Sequence, residues 1–180
     1  MKIIDQLLPY NDRLEKRDTR TLRTVVIHCT ELPDLKEARL YGEKIMYPDS
    51  GTGVSGHFYI DRDGCVYRYV CEDRIAHHVI GHNSDSIGIE LINRGRYPNW
   101  FDSNHQAPSE VYPEVQLSAL KELLRYLKQT HPTIKELARH SDLDTQMIPA
   151  QNKPEVEIRR KIDPGPLFPW DDLLRFWSSL

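Results

Sequence analysis

The chain has 180 residues, a mass of 21.1 kDa and a formal net charge of -3 at pH 7, a size that supports one hydrophobic core, since domains commonly run to about 100–200 residues. The acidic balance removes the broad attraction that nucleic-acid binders use, which excludes nucleic acid as a main partner. The 12 Pro and 9 Gly are scattered, so neither a collagen-like repeat nor a low-complexity linker is encoded.

The longest stretch without Asp, Glu, Lys or Arg, from Ser50 to Ile60, falls far short of the roughly 18 apolar residues a membrane span needs. No membrane span is expected. The opening Met1-Lys2-Ile3-Ile4-Asp5 places an acid where a secretory signal would begin its apolar segment, so the expected localisation is cytoplasmic. Three cysteines, Cys29, Cys65 and Cys71, cannot all pair within the chain and form no C-x-x-C, which excludes a disulfide framework. Eight histidines are the more unusual feature, because imidazole is a common ligand of transition metals.

Residues 1–21 read as an N-terminal extension and residues 22–180 as one domain. The run from Leu22 to Cys29 is rich in β-branched residues and reads as a central, buried strand with His28 at its downstream end. Pro33-Asp34 introduces a helix through about Tyr47, with Leu35, Ala38 and Ile45 facing inward. Asp63-Gly64 between His57-Phe58-Tyr59-Ile60 and the run from Cys65 to Val70 predicts a hairpin. In the next strand, Ile87 to Ile92, alternation sends Ile87, Ile89 and Leu91 to one face, and Gly88, Glu90 and Ile92 to the other.

The polar stretch from Asn93 to Pro113 is too long for an ordinary connection and reads as a loop flanking a functional cleft. Leu117, Leu120, Leu124 and Leu127 then mark a helix over Pro113 to Thr130. A further loop from Ser141 to Arg160 leads to Lys161-Ile162-Asp163-Pro164-Gly165-Pro166, and Trp170 to Leu180 closes the chain as an amphipathic helix. The expected fold class is α/β (α+β), a single domain with a central mixed β-sheet flanked by helices.

Taken singly, His28, Glu90, His140 and Asp163 match no compact zinc signature. Each is open to a structural reading: a buried, hydrogen-bonded imidazole at His28, a cap or turn at Asp163.

Four segments change this. Val25-Val26-Ile27-His28-Cys29-Thr30, the run from Val54 to Gly64, Ser86-Ile87-Gly88-Ile89-Glu90-Leu91, and Arg160-Lys161-Ile162-Asp163-Pro164-Gly165-Pro166 resemble, in this order, the zinc-dependent N-acetylmuramoyl-L-alanine amidases of the amidase_2 family. That family includes phage amidase-type lysozymes, peptidoglycan recognition proteins and the cytosolic amidase of cell-wall recycling.

The resemblance implies a Zn2+ cofactor held by His28, His140 and Asp163, the aspartate being the third ligand of the recycling type where phage lysozymes carry cysteine. Two imidazoles and one carboxylate leave a fourth position open, as expected of a catalytic rather than a structural zinc. It further implies Glu90 as general base, and Lys161 as the group that steadies the oxyanion. His78 and Asn83 are expected to contact substrate, a muropeptide or peptidoglycan fragment.

Two positions depart from the pattern. Gly56 stands where phage lysozymes carry a catalytic tyrosine, and Thr145 to Pro154 looks like an insertion able to reshape or cover the cleft. His77, His82, His105 and His131 read as surface residues. The expected activity is hydrolysis of the amide between N-acetylmuramoyl and L-alanine. The alternatives are a non-catalytic muropeptide-binding module and a Cys-His hydrolase using Cys29 or Cys65.

Overall fold

A computed structural model describes residues 2–180. Its strands are β1 (Ile3–Asp5), β2 (Thr24–Cys29), β3 (Phe58–Ile60), β4 (Val66–Arg68), β5 (Ser86–Leu91), β6 (Glu136–Arg139), β7 (Met147–Pro149) and β8 (Glu157–Arg159). Its helices are α1 (Leu35–Gly42), α2 (Glu114–Thr130), the single turn α3 (His140–Leu143) and α4 (Trp170–Ser178). Six strands form one mixed sheet in the order β1-β4-β3-β5-β2-β6, antiparallel only at the β3–β4 hairpin, while β7 and β8 pair separately.

β2 lies inside the sheet because Val25, Val26 and Ile27 can be buried on both of its faces. Ile27 and Val25 point to the face covered by α2 and α4, where Leu117, Leu120, Leu123, Leu124 and Leu127 meet Ile87, Ile89 and Leu91 of β5, and Trp177 closes the layer. Each leucine fully removed from water on this seam contributes about 1.5–3 kcal/mol relative to exposure. Alternation turns His28 and Glu90 to the opposite face, where Leu8, Tyr10, Leu14, Ala38, Tyr59 and Tyr69 form a second, smaller cluster.

That second cluster draws residues 2–21 into the same body. β1 extends the sheet beside β4, Leu8, Tyr10 and Leu14 are buried, and the Tyr10 hydroxyl donates to the Gly42 carbonyl at 2.6 Å.

Three elements differ from the sequence expectation. The first helix stops at Gly42 rather than near Tyr47, because Met46 and Tyr47 both donate to the Thr52 carbonyl in a tight turn. Ile45, expected inward, is 48% exposed. The loop from Ser141 to Arg160 contains most of α3 and the whole β7–β8 hairpin, anchored by buried Ile158. β6 was hidden by its composition, since Glu136-Leu137-Ala138-Arg139 favours helix and becomes a strand only by pairing beside β2.

Candidate active site

Sheet register builds the site. His28 stands one residue before the end of β2, directly across from Glu90 on the parallel neighbour β5, and His140 opens α3 immediately after β6, the neighbour on the other side. Asp163 arrives from the segment after β8 and is tied down by its own backbone. The Ser141 N–H donates to the Asp163 carbonyl at 3.0 Å, and the Tyr112 hydroxyl donates to the Pro164 carbonyl at 2.6 Å.

Three donor atoms converge. His28 Nδ1 and His140 Nδ1 lie 2.9 Å apart, His140 Nδ1 and Asp163 Oδ2 2.9 Å, and His28 Nδ1 and Asp163 Oδ2 3.3 Å. All three residues are buried. Tetrahedral ligands bound to zinc at about 2.0–2.1 Å stand about 3.3 Å from one another, so this spacing fits a single small cation. Two imidazole nitrogens aimed at one point beside a carboxylate, with Asp163 Oδ1 buried and unpartnered, form a donor set that a cation would satisfy.

The electrostatics agree with ligand chemistry. Burial, followed by the neighbouring His140, pushes the His28 imidazole down to about 4 against the pull of Asp163, which keeps it neutral. Burial works to raise the Asp163 carboxyl, but the adjoining His140 and His28 imidazoles, with Lys161, hold it well below the usual carboxylate range. Glu90 Oε1 lies 3.9 Å from His28 Nδ1. Its carboxyl is pushed up to about 8 by burial and then by Asp163, with Lys161 opposing. Such a group takes and returns a proton near neutral pH. Gly56 packs on it: a Cβ there would lie 2.9 Å from Glu90 Cγ, so a larger residue would displace the carboxylate.

The donors open into a cleft of about 460 Å³, lined also by Lys161, Arg160, Tyr47, Ile80, Trp100 and Phe101. The insertion around Thr145 to Pro154 contributes no residue to the lining and reaches it only through the long loop. The Gln151 N–H donates to the Phe101 carbonyl and the Ser103 N–H to Asn152 Oδ1, both at 2.8 Å, which zips the β7–β8 hairpin to the long loop after β5.

Of the residues expected to touch substrate, both line the cleft and both make internal bonds. Asn83 Oδ1 accepts from the backbone N–H of His78 and Val79 at 3.0 and 2.8 Å, fixing the loop. His78 Nδ1 lies 3.0 Å from His28 Nε2. His131, expected at the surface, is buried where its N–H caps α2 by donating to the Leu127 carbonyl at 2.8 Å. Cys29 turns to the opposite face from His28, and burial pushes its thiol well above the ordinary range, which removes the thiolate a Cys-His hydrolase would need. Sequence reading missed the buried pair Glu31–Arg96 and the Trp100 indole, which donates to the Glu31 carbonyl at 2.8 Å. They lie in irregular segments without periodicity to betray them.

Two imidazoles and an aspartate converging beside a glutamate, in a cleft that Lys161 also lines, form a donor set of the kind metal-assisted hydrolases use. The chain matches the N-acetylmuramoyl-L-alanine amidase family Amidase_2 over residues 18–166. It is 29% identical over 142 residues to an endolysin of Enterobacteria phage K11, covering 78% of this chain and 85% of the phage protein.

The structure of the N-acetylmuramoyl-L-alanine amidase LysC from Clostridium intestinale URNW superposes with a TM-score of 0.68 at 23% identity, covering 99% of this chain and 98% of that one. The amidase AmiD from E. coli, in complex with anhydro-N-acetylmuramic acid-L-Ala-D-gamma-Glu-L-Lys, gives a TM-score of 0.63 at 25% identity over 87% of this chain and 57% of its own. The chain belongs to the N-acetylmuramoyl-L-alanine amidase family, and it hydrolyses the amide between the muramoyl group and L-alanine in peptidoglycan or anhydro-muropeptides. No helix among the described residues is long and apolar enough to cross a membrane.

Proposed function

We propose that His28, His140 and Asp163 hold a zinc ion, that Glu90 is the general base and that Lys161 stabilises the oxyanion. The observation that carries this reading is the convergence of the three donor atoms at 2.9–3.3 Å, with Glu90 Oε1 3.9 Å from one of them. A zinc ion bound there would supply Lewis-acid polarisation and lower the pKa of water to about 7.

The protein groups divide the remaining work. Glu90, whose carboxyl is raised into the neutral range, accepts the proton of the attacking water and returns it to the leaving L-alanine nitrogen. Lys161 lines the same cleft, and its ammonium faces the charge that develops on the amide oxygen. Trp100 and Phe101 of the long loop line that cleft, braced from behind by the β7–β8 hairpin, and limit access of bulk water.

The preferred substrates are soluble anhydro-muropeptides in the cytoplasm. Asp163 at the third ligand position, which resembles the recycling-type members, supports this, as do three cysteines that are all free. Likeness to a phage endolysin favours a second reading, attack on intact wall. Zinc content and turnover of anhydro-muropeptide and of intact sacculi, for the parent and for Asp163→Ala, test both. A parent without zinc, or a variant with full turnover, overturns the mechanism, and faster turnover of sacculi selects the second reading.

A further inference from the structure

His78 is placed against the metal site more tightly than a residue serving only substrate requires. Its imidazole lies on the β5 backbone at Gly88, where a Cβ would come within 2.6 Å of its Cγ and Nδ1. Its ring stands edge-on to that of His28, with centroids 5.1 Å apart. Asn83 holds its backbone in place through two hydrogen bonds to the loop.

The hydrogen bonds around this ring have a direction that can be read from one end. The Ser86 hydroxyl has one hydrogen and donates it to the His82 carbonyl at 2.5 Å. Ser86 Oγ can therefore only accept from His78 Nε2, 3.2 Å away. With its proton on Nε2, neutral His78 presents a lone pair at Nδ1. That atom sits 3.0 Å from His28 Nε2 and accepts its proton. His28 is left with its lone pair on Nδ1, the atom that converges with His140 and Asp163.

We propose that His78 is a positioning residue for the metal: through the chain Ser86–His78–His28 it fixes the ring orientation and tautomer that aim His28 Nδ1 at the ion. Histidine ligands generally donate their second N–H to an oxygen acceptor, which fixes the tautomer and raises ligand basicity. Here an imidazole takes the place of that oxygen. The inference rests on the reading of His28, His140 and Asp163 as zinc ligands and assigns His78 to the ligand shell rather than to substrate.

The test measures zinc affinity of the metal-free chain by competition with a chromogenic chelator at one pH, with circular dichroism to verify folding. His78→Asn keeps an amide oxygen near the Nδ1 position, His78→Gln moves it toward Nε2, and His78→Phe removes it. The Phe and Gln variants are expected to bind zinc about 10–100-fold more weakly, the loss typical of such partners, with Asn recovering most of the affinity.

Ser86→Ala leaves the ring in place while releasing its far end; it is expected to weaken binding to a smaller degree and keeps the test readable if His78→Phe fails to fold. Parent-like zinc affinity in Phe and Ser86→Ala, or an Asn variant as weak as Phe, overturns the proposal. Parent-like affinity accompanied by a raised KM for muropeptide assigns His78 to substrate instead. A parent that binds zinc but hydrolyses no muropeptide would count against the substrate and leave this comparison intact; a parent that binds no zinc removes both.

Discussion

Glu31 and Arg96 are joined by two parallel hydrogen bonds, Nε to Oε1 and Nη2 to Oε2, each 2.7 Å, in a pair that is almost fully buried. The same guanidinium donates to the carbonyls of Arg159 and Arg160 at 3.1 Å and to Gln106 Oε1 at 3.0 Å. Glu31 stands three residues after His28 and holds a left-handed backbone, φ 49°. One ion pair thus ties the end of the central strand, the long loop and the approach to Lys161 and Asp163 into a single rigid frame.

Arg96→Met is therefore expected to lose about 3–5 kcal/mol of folding stability, because it strands the Glu31 carboxylate in a buried place. It should also lower kcat by freeing the backbone that carries Lys161. Urea denaturation and steady-state kinetics measure both; a variant as stable as the parent would show that water replaces the guanidinium at no cost.

Glu90 makes stability depend on pH in a definite direction. Its folded-state carboxyl is raised to about 8 from the ordinary 4.5, so between those values the native state binds more protons than the unfolded chain, and stability falls as pH rises through that window. Glu90→Gln removes this pH dependence. In metal-free protein, the stability of the Gln variant relative to the parent is expected to grow from pH 5 to pH 9 by at most about 5 kcal/mol, at 1.36 kcal/mol per unit. Urea denaturation at pH 5, 7 and 9 measures the difference; one that stays flat with pH would show that Glu90 is solvated.

The chemistry of the cleft separates a metal enzyme from a thiol enzyme. A strong chelator is expected to abolish hydrolysis and added zinc to restore it, whereas iodoacetamide should leave turnover unchanged, since the Cys29 thiol is buried and raised well above its ordinary range. Loss of activity on alkylation with retention under chelation would favour the Cys-His alternative.

The parts legible in the sequence are those where a local pattern and its tertiary use coincide. β2, the β3–β4 hairpin at Asp63-Gly64, β5 and α2 each carry a period or a turn signal that the packing then uses. Alternation alone separates Glu90 from Ile87, Ile89 and Leu91, and only the sheet register brings His28 opposite it. β1 and β7, three residues each, are too short to carry a period, and β6 is written in helix-favouring residues. The bond from His28 Nε2 to His78 spans 50 positions and the Glu31–Arg96 pair 65, so neither leaves a local signature. The ligand set was legible only through resemblance, because a strand end, a helix start and a loop contribute one donor each.

Lys161 gives the sharpest separation between binding the metal and serving the substrate. It precedes Asp163 by two residues and lines the same cleft, and its charge is felt at Glu90 and Asp163. If its ammonium meets the amide oxygen only as charge develops there, its removal should act on the chemical step and not on metal uptake. Lys161→Met is accordingly expected to lower kcat by about 100–1,000-fold, the loss typical of one oxyanion donor, with zinc content and KM close to the parent values. Zinc analysis beside steady-state kinetics on one preparation decides it. A variant that loses zinc in proportion to activity would mean that Lys161 supports the Asp163 segment, and one that keeps kcat would remove it from the oxyanion site.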